Sequence, residues 1–312
     1  MTRIAVIGSS GQLGNDLVDA IRRTDDADVI PLSHSDIEVA DEASVRSVLT
    51  AARPDIVVNC AAMVRVDDCE DHHEEAFRVN TLGALNVART CAALSAVCVY
   101  ISSDYVFDGK KQTPYAEDDL PRPLNVYGVS KVAGEHVTSA YCSRSYVVRS
   151  SGLYGLAGTS GKGGNFVETI IRLAREGKPI RVVNDQVLAP TYTKDLAQKI
   201  VQLLTTEAPN GLYHVTNAGQ CSWFEFAGRI FACLAWNPTS LRRRRQHMPY
   251  ERSGRPIRCS AGPASPVWNW TIPVLGILPS RPICTRKDTF ERVVEAPRPE
   301  NVTERSRRIM VR

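Results

Sequence analysis

The apolar run Ile4-Ala5-Val6-Ile7 stops on Gly8-Ser-Ser-Gly11-Gln-Leu-Gly14, and helix-forming residues follow at once. A strand that ends on glycines and re-enters as a helix makes a tight βα turn, because glycine permits positive φ and close backbone approach. The alternation recurs. Short β-branched runs predict strands over 3–8, 28–33, 55–60, 97–103 and 145–150, with helices over 12–23, 42–52, 74–94 and 125–141 between them. Strands without an in-out alternation are covered on both faces, which calls for a parallel sheet layered by helices. The fold expected is α/β, a doubly wound parallel sheet with its site in the loops at the carboxyl ends of the strands.

Beyond Ser150 the alternation loosens. A Gly/Ser-rich loop over 155–164 precedes a helix over 165–176, a strand over 180–183, a helix over 193–206, a strand over 211–216 and a helix capped by Ser222. Serine at that position is a strong N-cap. Residues 1–150 are expected to form the nucleotide-binding domain and 151–235 a smaller substrate lobe that returns elements to it. Residues 236–312 form an atypical tail.

Composition narrows the class. Hydrophobic content of 43% and charged content of 23% suit a soluble globular protein, and no apolar run is long enough for a membrane span. Met1-Thr2-Arg3 leads directly into the first strand without a signal-peptide pattern, so a cytoplasmic location is expected. The nine cysteines include no Cys-x-x-Cys pair, which favours buried reduced thiols over disulfides or a metal site.

The spacing Gly8-x-x-Gly11-x-x-Gly14 at a strand-to-helix junction suits a dinucleotide pyrophosphate, whose charge the helix N-terminus favours; an ordinary glycine-containing turn is the bland alternative. The second strand ends Ser33-His34-Ser35 with Asp36 close behind and no adjacent arginine, so the choice between NADH and NADPH stays open. Asp36 and Ile37 are placed near the adenine, or Asp36 caps a surface helix. Asn59-Cys60-Ala61-Ala62 closes the third strand with small residues against which a cofactor ribose could lie. Asn80 falls in a predicted helix, where asparagine is a poor former, and is a candidate polar link behind Lys131.

Ser103 ends the fourth strand, and Tyr127-Gly-Val-Ser-Lys131 follows on a helix where residues four apart share a face. Ser103 can donate a hydrogen bond to a carbonyl oxygen, Tyr127 can protonate that oxygen as hydride reaches carbon, and Lys131 can hold a nicotinamide ribose and favour phenolate character in Tyr127.

These blocks, with Ser103-Asp104-Tyr105-Val-Phe-Asp-Gly109, Pro123-Leu-Asn-Val-Tyr127 and Asn184-Asp-Gln186 followed by Ala189-Pro-Thr191, resemble the dTDP-4-dehydrorhamnose reductase family of extended short-chain dehydrogenase/reductases, from about residue 4 to 235. The resemblance implies a Rossmann-type fold and NADPH- or NADH-dependent reduction of the 4-keto group of dTDP-4-dehydro-L-rhamnose. It implies catalytic roles for Ser103, Tyr127 and Lys131. Gly8, Gly11, Gln12, Leu13, Ala61 and Ala62 would lie beside the cofactor, and Asp104, Tyr105 and Gly152 beside the sugar. Gly152 stands where some members carry a tryptophan. Partners are a dTDP-sugar and, as one option, a second copy of the chain. Related dehydratases follow the serine or threonine with Asp-Glu; here Tyr105 replaces the second acid, which favours reduction over elimination. A nucleotide-sugar epimerase, or a non-catalytic subunit like the regulatory one of methionine adenosyltransferase, are the alternatives.

Formal charge is −6 over 1–235 and +10 over 236–312, where fifteen of the sixteen cations are arginine. The family's C-terminal blocks are absent as written, yet codons allowed for 253–260 and 267–273 give family-like stretches in another frame. A shifted reading frame with a disordered tail is the leading expectation. A divergent functional tail and a nucleic-acid-binding arm, which clustered arginines would suit, are the others.

Overall fold

The computed structural model describes residues 1–111, 113–157, 164–206, 208–234 and 241–244. Its first part runs β1 (Thr2–Ile7), α1 (Gln12–Ile21), β2 (Ala27–Leu32), α2 (Glu42–Ala52), β3 (Ile56–Asn59), α3 (Val66–Asp71), α4 (His73–Phe77), α5 (Gly83–Leu94), β4 (Val97–Ser103), α6 (Val126–Tyr141) and β5 (Ser145–Ser150). There follow β6 (Leu153–Tyr154), α7 (Phe166–Arg175), β7 (Ile180–Val183), β8 (Val187–Leu188), β9 (Thr191–Tyr192), α8 (Thr193–Thr205), β10 (Gly211–His214), β11 (Cys221–Ser222), α9 (Trp223–Cys233) and β12 (Leu241–Arg244).

Six strands form one parallel sheet in the order β10-β5-β4-β3-β1-β2. β3 and β5 are buried along their whole length, as a sheet covered on both faces requires. One face packs Ile4, Val6, Val58 and Val148 against Leu17 and Ile21 of α1 and Leu196 and Ile200 of α8. The other packs Ala5, Ile7 and Val57 against Val45 and Leu49 of α2 and Val87 and Cys91 of α5. From β1 the chain turns first to β2 and then back across to β3, so the carboxyl ends of β1 and β3 meet at a switch point, where open α/β sheets bind ligands.

The expected strands of the first half stand within a residue or two of their predicted positions. The helix predicted over 74–94 is instead α4, a π turn at Arg78–Leu82 and α5, preceded by α3. Asn80 sits within the π turn. Its side chain binds the Met63 backbone from both sides, accepting at 2.8 Å and donating at 3.1 Å, and donates to Ser130 Oγ at 2.9 Å. Such turns interrupt a helix where a side chain is needed at a site.

After β5, α8 and β10 return to the main sheet, while Tyr154, Val167, Ile170, Ile180, Tyr192, Phe226 and Ile230 form a separate aromatic and aliphatic cluster. Capping boxes at Asn165/Glu168 and Ser222/Glu225 start α7 and α9. In the tail, the backbone of β12 runs parallel to β7; the other expectations for 236–312 lie outside the described residues, as does 158–163 of the expected loop. Among the described residues no helix is long and apolar enough to cross a membrane.

Candidate active site

The turn after β1 is held by contact between backbones. Gly8 has φ +77°, and a Cβ there would stand 3.1 Å from Ala61 N; one on Gly14 would stand 2.1 Å from Gly8 O. A side chain at Gly14 would therefore displace the turn. Gly11 N–H donates to Gly8 O at 3.0 Å, and α1 starts at Gly11 with no side-chain cap and no acid in its first turn. The first-turn N–H groups face the switch point, an environment suited to an anionic pyrophosphate.

Leu13 is buried in the core, so only its backbone faces the turn. Gln12 Oε1 accepts from Asn165 Nδ2 at 3.1 Å, tying this turn to the cap of α7. Ala61 N–H donates to Asn59 Oδ1 at 3.1 Å, which folds the 59–62 segment back under the turn with Ala62 half-buried. Asp36 closes a turn rather than capping a helix: its carboxylate accepts the Ser33 N–H at 2.7 Å and hydroxyl at 2.6 Å, which holds it below the usual carboxylate range. The cap of α2 is Asp41. Ile37 is 3% exposed within the core, leaving its backbone as the part that can meet a ligand.

Ser103 and Tyr127 are in hydrogen-bond contact, and Lys131 follows Tyr127 one turn on along α6. Asn125 caps α6 by accepting Gly128 N–H at 2.7 Å, and a Cβ on Gly128 would fall 2.2 Å from Tyr105 O. That close approach seats the first turn of α6 on the short 3-10 turn Asp104–Val106, which leads directly out of β4. Tyr127 packs edge-on against Tyr105 at 5.6 Å between ring centres. Ser103 Oγ donates to Asp104 Oδ1 at 3.0 Å and accepts the Tyr105 N–H at 3.3 Å.

Lys131 is 1% exposed, with Nζ 4.1 Å from the centre of the Tyr100 ring, and the Tyr100 hydroxyl donates to Asn80 O at 2.9 Å. Asn80 thus lies behind Lys131 through Tyr100 and Ser130. Burial pulls Lys131 down to about 7, against the opposing pull of Glu135 one helical turn away. Burial raises Tyr127 well above an ordinary phenol, and the largest downward influence on it is Ser103.

Several residues of the site were not expected. Ser151 donates to Asp104 Oδ2 at 2.6 Å and accepts the Ala189 N–H at 3.2 Å. Glu135 takes both prongs of Arg149, at 2.8 and 2.6 Å, and the Ser102 hydroxyl at 2.5 Å. The partners are far apart in sequence, so no local pattern marks them. Gly152 has φ +52°, and a Cβ there would reach within 2.4 Å of Leu188 Cδ1. The position suits glycine and has no room for a larger side chain without rearrangement.

Switch-point turn, strand-end serine and buried Tyr/Lys helix together define the class, a nucleotide-dependent oxidoreductase of the short-chain dehydrogenase/reductase kind. The family described as the RmlD substrate binding domain matches residues 1–261, and the chain belongs to it. It is 42% identical over 230 residues to the spore coat polysaccharide biosynthesis protein SpsK of Bacillus subtilis, covering 74% of this chain and 78% of that one. It is 39% identical over 241 residues to the dTDP-4-dehydrorhamnose reductase of Mycolicibacterium smegmatis, covering 77% and 72%. The solved dTDP-4-dehydrorhamnose reductase of Bacillus anthracis, in complex with NADP, superposes with a TM-score of 0.72 at 37% identity, over 79% of this chain and 85% of that one.

Proposed function

We infer that this chain uses NADPH or NADH to reduce the 4-keto group of dTDP-4-dehydro-L-rhamnose, giving dTDP-L-rhamnose. The observation that carries the reading is the Ser103–Tyr127 contact at the end of β4, with Lys131 one turn further along α6 and interacting electrostatically with Cys60, against whose backbone Gly8 of the glycine turn packs. The turn fits a dinucleotide, because Gly8, Gly11 and Gly14 leave backbone where side chains would block it, and the uncapped start of α1 offers N–H groups to its phosphates. Backbone at 36–37 and the small residues Ala61 and Ala62 would line the nucleoside side. Bound there, the nicotinamide supplies hydride to the carbonyl carbon.

The chain's own groups manage the oxygen. Ser103 donates a hydrogen bond to it, and Tyr127 gives it the proton that completes the alcohol. Lys131 holds its ammonium beside the same helix face and orients the ribose. Asp104, Tyr105 and the Gly152 backbone border the sugar, with residues 151–235 as the substrate lobe. A cytoplasmic homodimer is part of the proposal, testable by sedimentation. Tyr105 in place of a second acid leaves no base for elimination, which favours reduction over the dehydratase chemistry of related enzymes.

The test is loss of NADPH or NADH absorbance on adding dTDP-4-dehydro-L-rhamnose. Tyr127→Phe should abolish turnover while cofactor binding persists. Continued turnover by that variant would reassign the proton donor. No turnover by a chain carrying an intact family C-terminal segment in place of 236–312 would defeat the reading, and a non-catalytic nucleotide-binding subunit would then stand.

A further inference from the structure

The Ser103 hydroxyl has one hydrogen to give, and in the structure it points to Asp104, with the Tyr127 phenol as the other side chain in hydrogen-bond contact with Ser103. A carbonyl oxygen entering the site needs that same hydrogen, so the carboxyl group of Asp104 competes with it. The surroundings of Asp104 show how the competition can be resolved. Its outer oxygen, Oδ2, accepts the Ser151 hydroxyl at 2.6 Å, and Ser151 Oγ in turn accepts the Ala189 N–H at 3.2 Å. The Ser151 hydrogen is thereby aimed at Oδ2, and a proton added to Asp104 belongs on Oδ1, facing Ser103.

We propose that Asp104 is a positioning residue whose protonation on Oδ1 turns the Ser103 hydroxyl outward, making Ser103 an acceptor from Asp104 and a donor to the substrate oxygen. The bond count closes. Ser103 Oγ then accepts from Asp104 and from the Tyr105 N–H, filling both lone pairs, and its single hydrogen goes to the carbonyl, to which the neighbouring Tyr127 phenol turns its own hydrogen instead of to Ser103. With Asp104 ionised, the hydrogen returns to Oδ1 and the carbonyl loses a donor.

The groups facing Asp104 are the Tyr127 phenol from α6, Tyr105 and the backbone N–H groups of 104 and 105 from the 3-10 turn, and Ser151 from the turn after β5. Among the described residues, no cation is one of the main groups that shift it. Burial raises its proton affinity above the ordinary carboxylate level despite the hydrogen bonds that oppose this.

The proposal rests on the reductase reading, and Asp104→Asn separates the two. An asparagine amide can donate to Ser103 and accept from Ser151, copying the protonated acid at every pH. Because Asp104 also borders the sugar, the readout is the shape of the pH profile: in the variant the fall in kcat/KM that accompanies Asp104 ionisation as pH rises should vanish, leaving the limb that belongs to Lys131. Ser103→Ala should lose about a hundredfold or more in kcat, the usual effect of removing an oxyanion donor. A profile for Asp104→Asn with the wild-type shape would overturn the proposal while leaving the reductase reading intact. A second measurement needs no substrate: 13C-carboxyl NMR of aspartate-labelled protein. The resonance missing in Asp104→Asn should titrate above the ordinary aspartate range, and its midpoint should move in Ser103→Ala. Titration in the ordinary range, or no response to Ser103→Ala, would also overturn it.

Discussion

At the scale of single residues, the site is built from groups held in forms that water would not favour. Lys131 is the clearest case. Its folded value of about 7 lies below the 10.5 of a free lysine, so between those limits the unfolded chain carries a proton the folded one does not. Stability therefore rises with pH across that window, and the cost of burying the ammonium is fully present below it. Lys131→Met keeps the volume and removes the charge, so it should raise Tm at and below neutral pH while turnover is lost. Thermal melts at pH 6 and pH 10 check this: the Tm gain should be larger at pH 6, and an equal gain at both would show that charge burial is not the source. Ser103, Tyr127 and Lys131 could be found in the sequence because each sits next to a chain landmark, a strand end or a helix start. Ser151 could not, since its partner Asp104 is 47 positions away. The tyrosine's acidity was not legible either. The spacing suggests Lys131 as the group favouring phenolate, but Ser103 exerts the largest downward influence and burial outweighs it.

At the scale of elements, α6 is fixed between β4 and β5 by a buried ion pair. Glu135 joins Arg149 of β5 and Ser102 of β4, with both charged side chains about as enclosed as the core around them. A buried pair contributes little over an apolar substitute, yet removing one partner strands the other charge. Glu135→Ala should therefore cost about 3–5 kcal/mol in urea unfolding, and Glu135→Ala with Arg149→Met should recover much of it. A double variant no more stable than the single would mean that the ion pair itself, rather than the stranded arginine, carries the stability. Because Glu135 also raises the affinity of Lys131 for its proton, Glu135→Gln should shift the Lys131 limb of the rate profile to lower pH. The main strands were readable as apolar runs, and several helices because they begin at a glycine or a capping residue such as Gly11, Asp41 or Asn125. The 66–82 region was not. α3 and α4 are each only about a turn or two long, and Asn80 in the π turn bonds Met63 and Ser130, which lie outside its own segment.

At the scale of the whole molecule, the nucleotide helix α1 is clamped to the later part of the chain at two levels. Gln12 meets Asn165 near its start, and Asp16, one turn on, accepts the Thr193 hydroxyl at 2.5 Å at the head of α8. No feature of the sequence pairs residues 177 positions apart, so the parallel sheet was foreseeable and this closure of α8 and β10 back onto it was foreseeable only as a general return of elements. The clamp has a consequence for stability. Burial raises Asp16 above the free value of 3.8, outweighing the Thr193 bond and the nearby Lys194. From 3.8 up to that raised value the folded state holds a proton the unfolded state has released, so stability through this group falls as pH rises. Other carboxylates, Asp36 and Glu75 among them, are held low and act in the opposite sense, so the overall pH dependence cannot isolate Asp16. The difference between wild type and Asp16→Asn can. Asparagine still accepts from Thr193 but cannot ionise, and the variant should gain Tm relative to wild type as pH is raised from 4 to 8. A constant difference across that range would mean that Asp16 is ionised throughout and that Thr193, rather than burial, governs its proton. The α1–α8 junction would then be a fixed hydrogen bond with no response to pH.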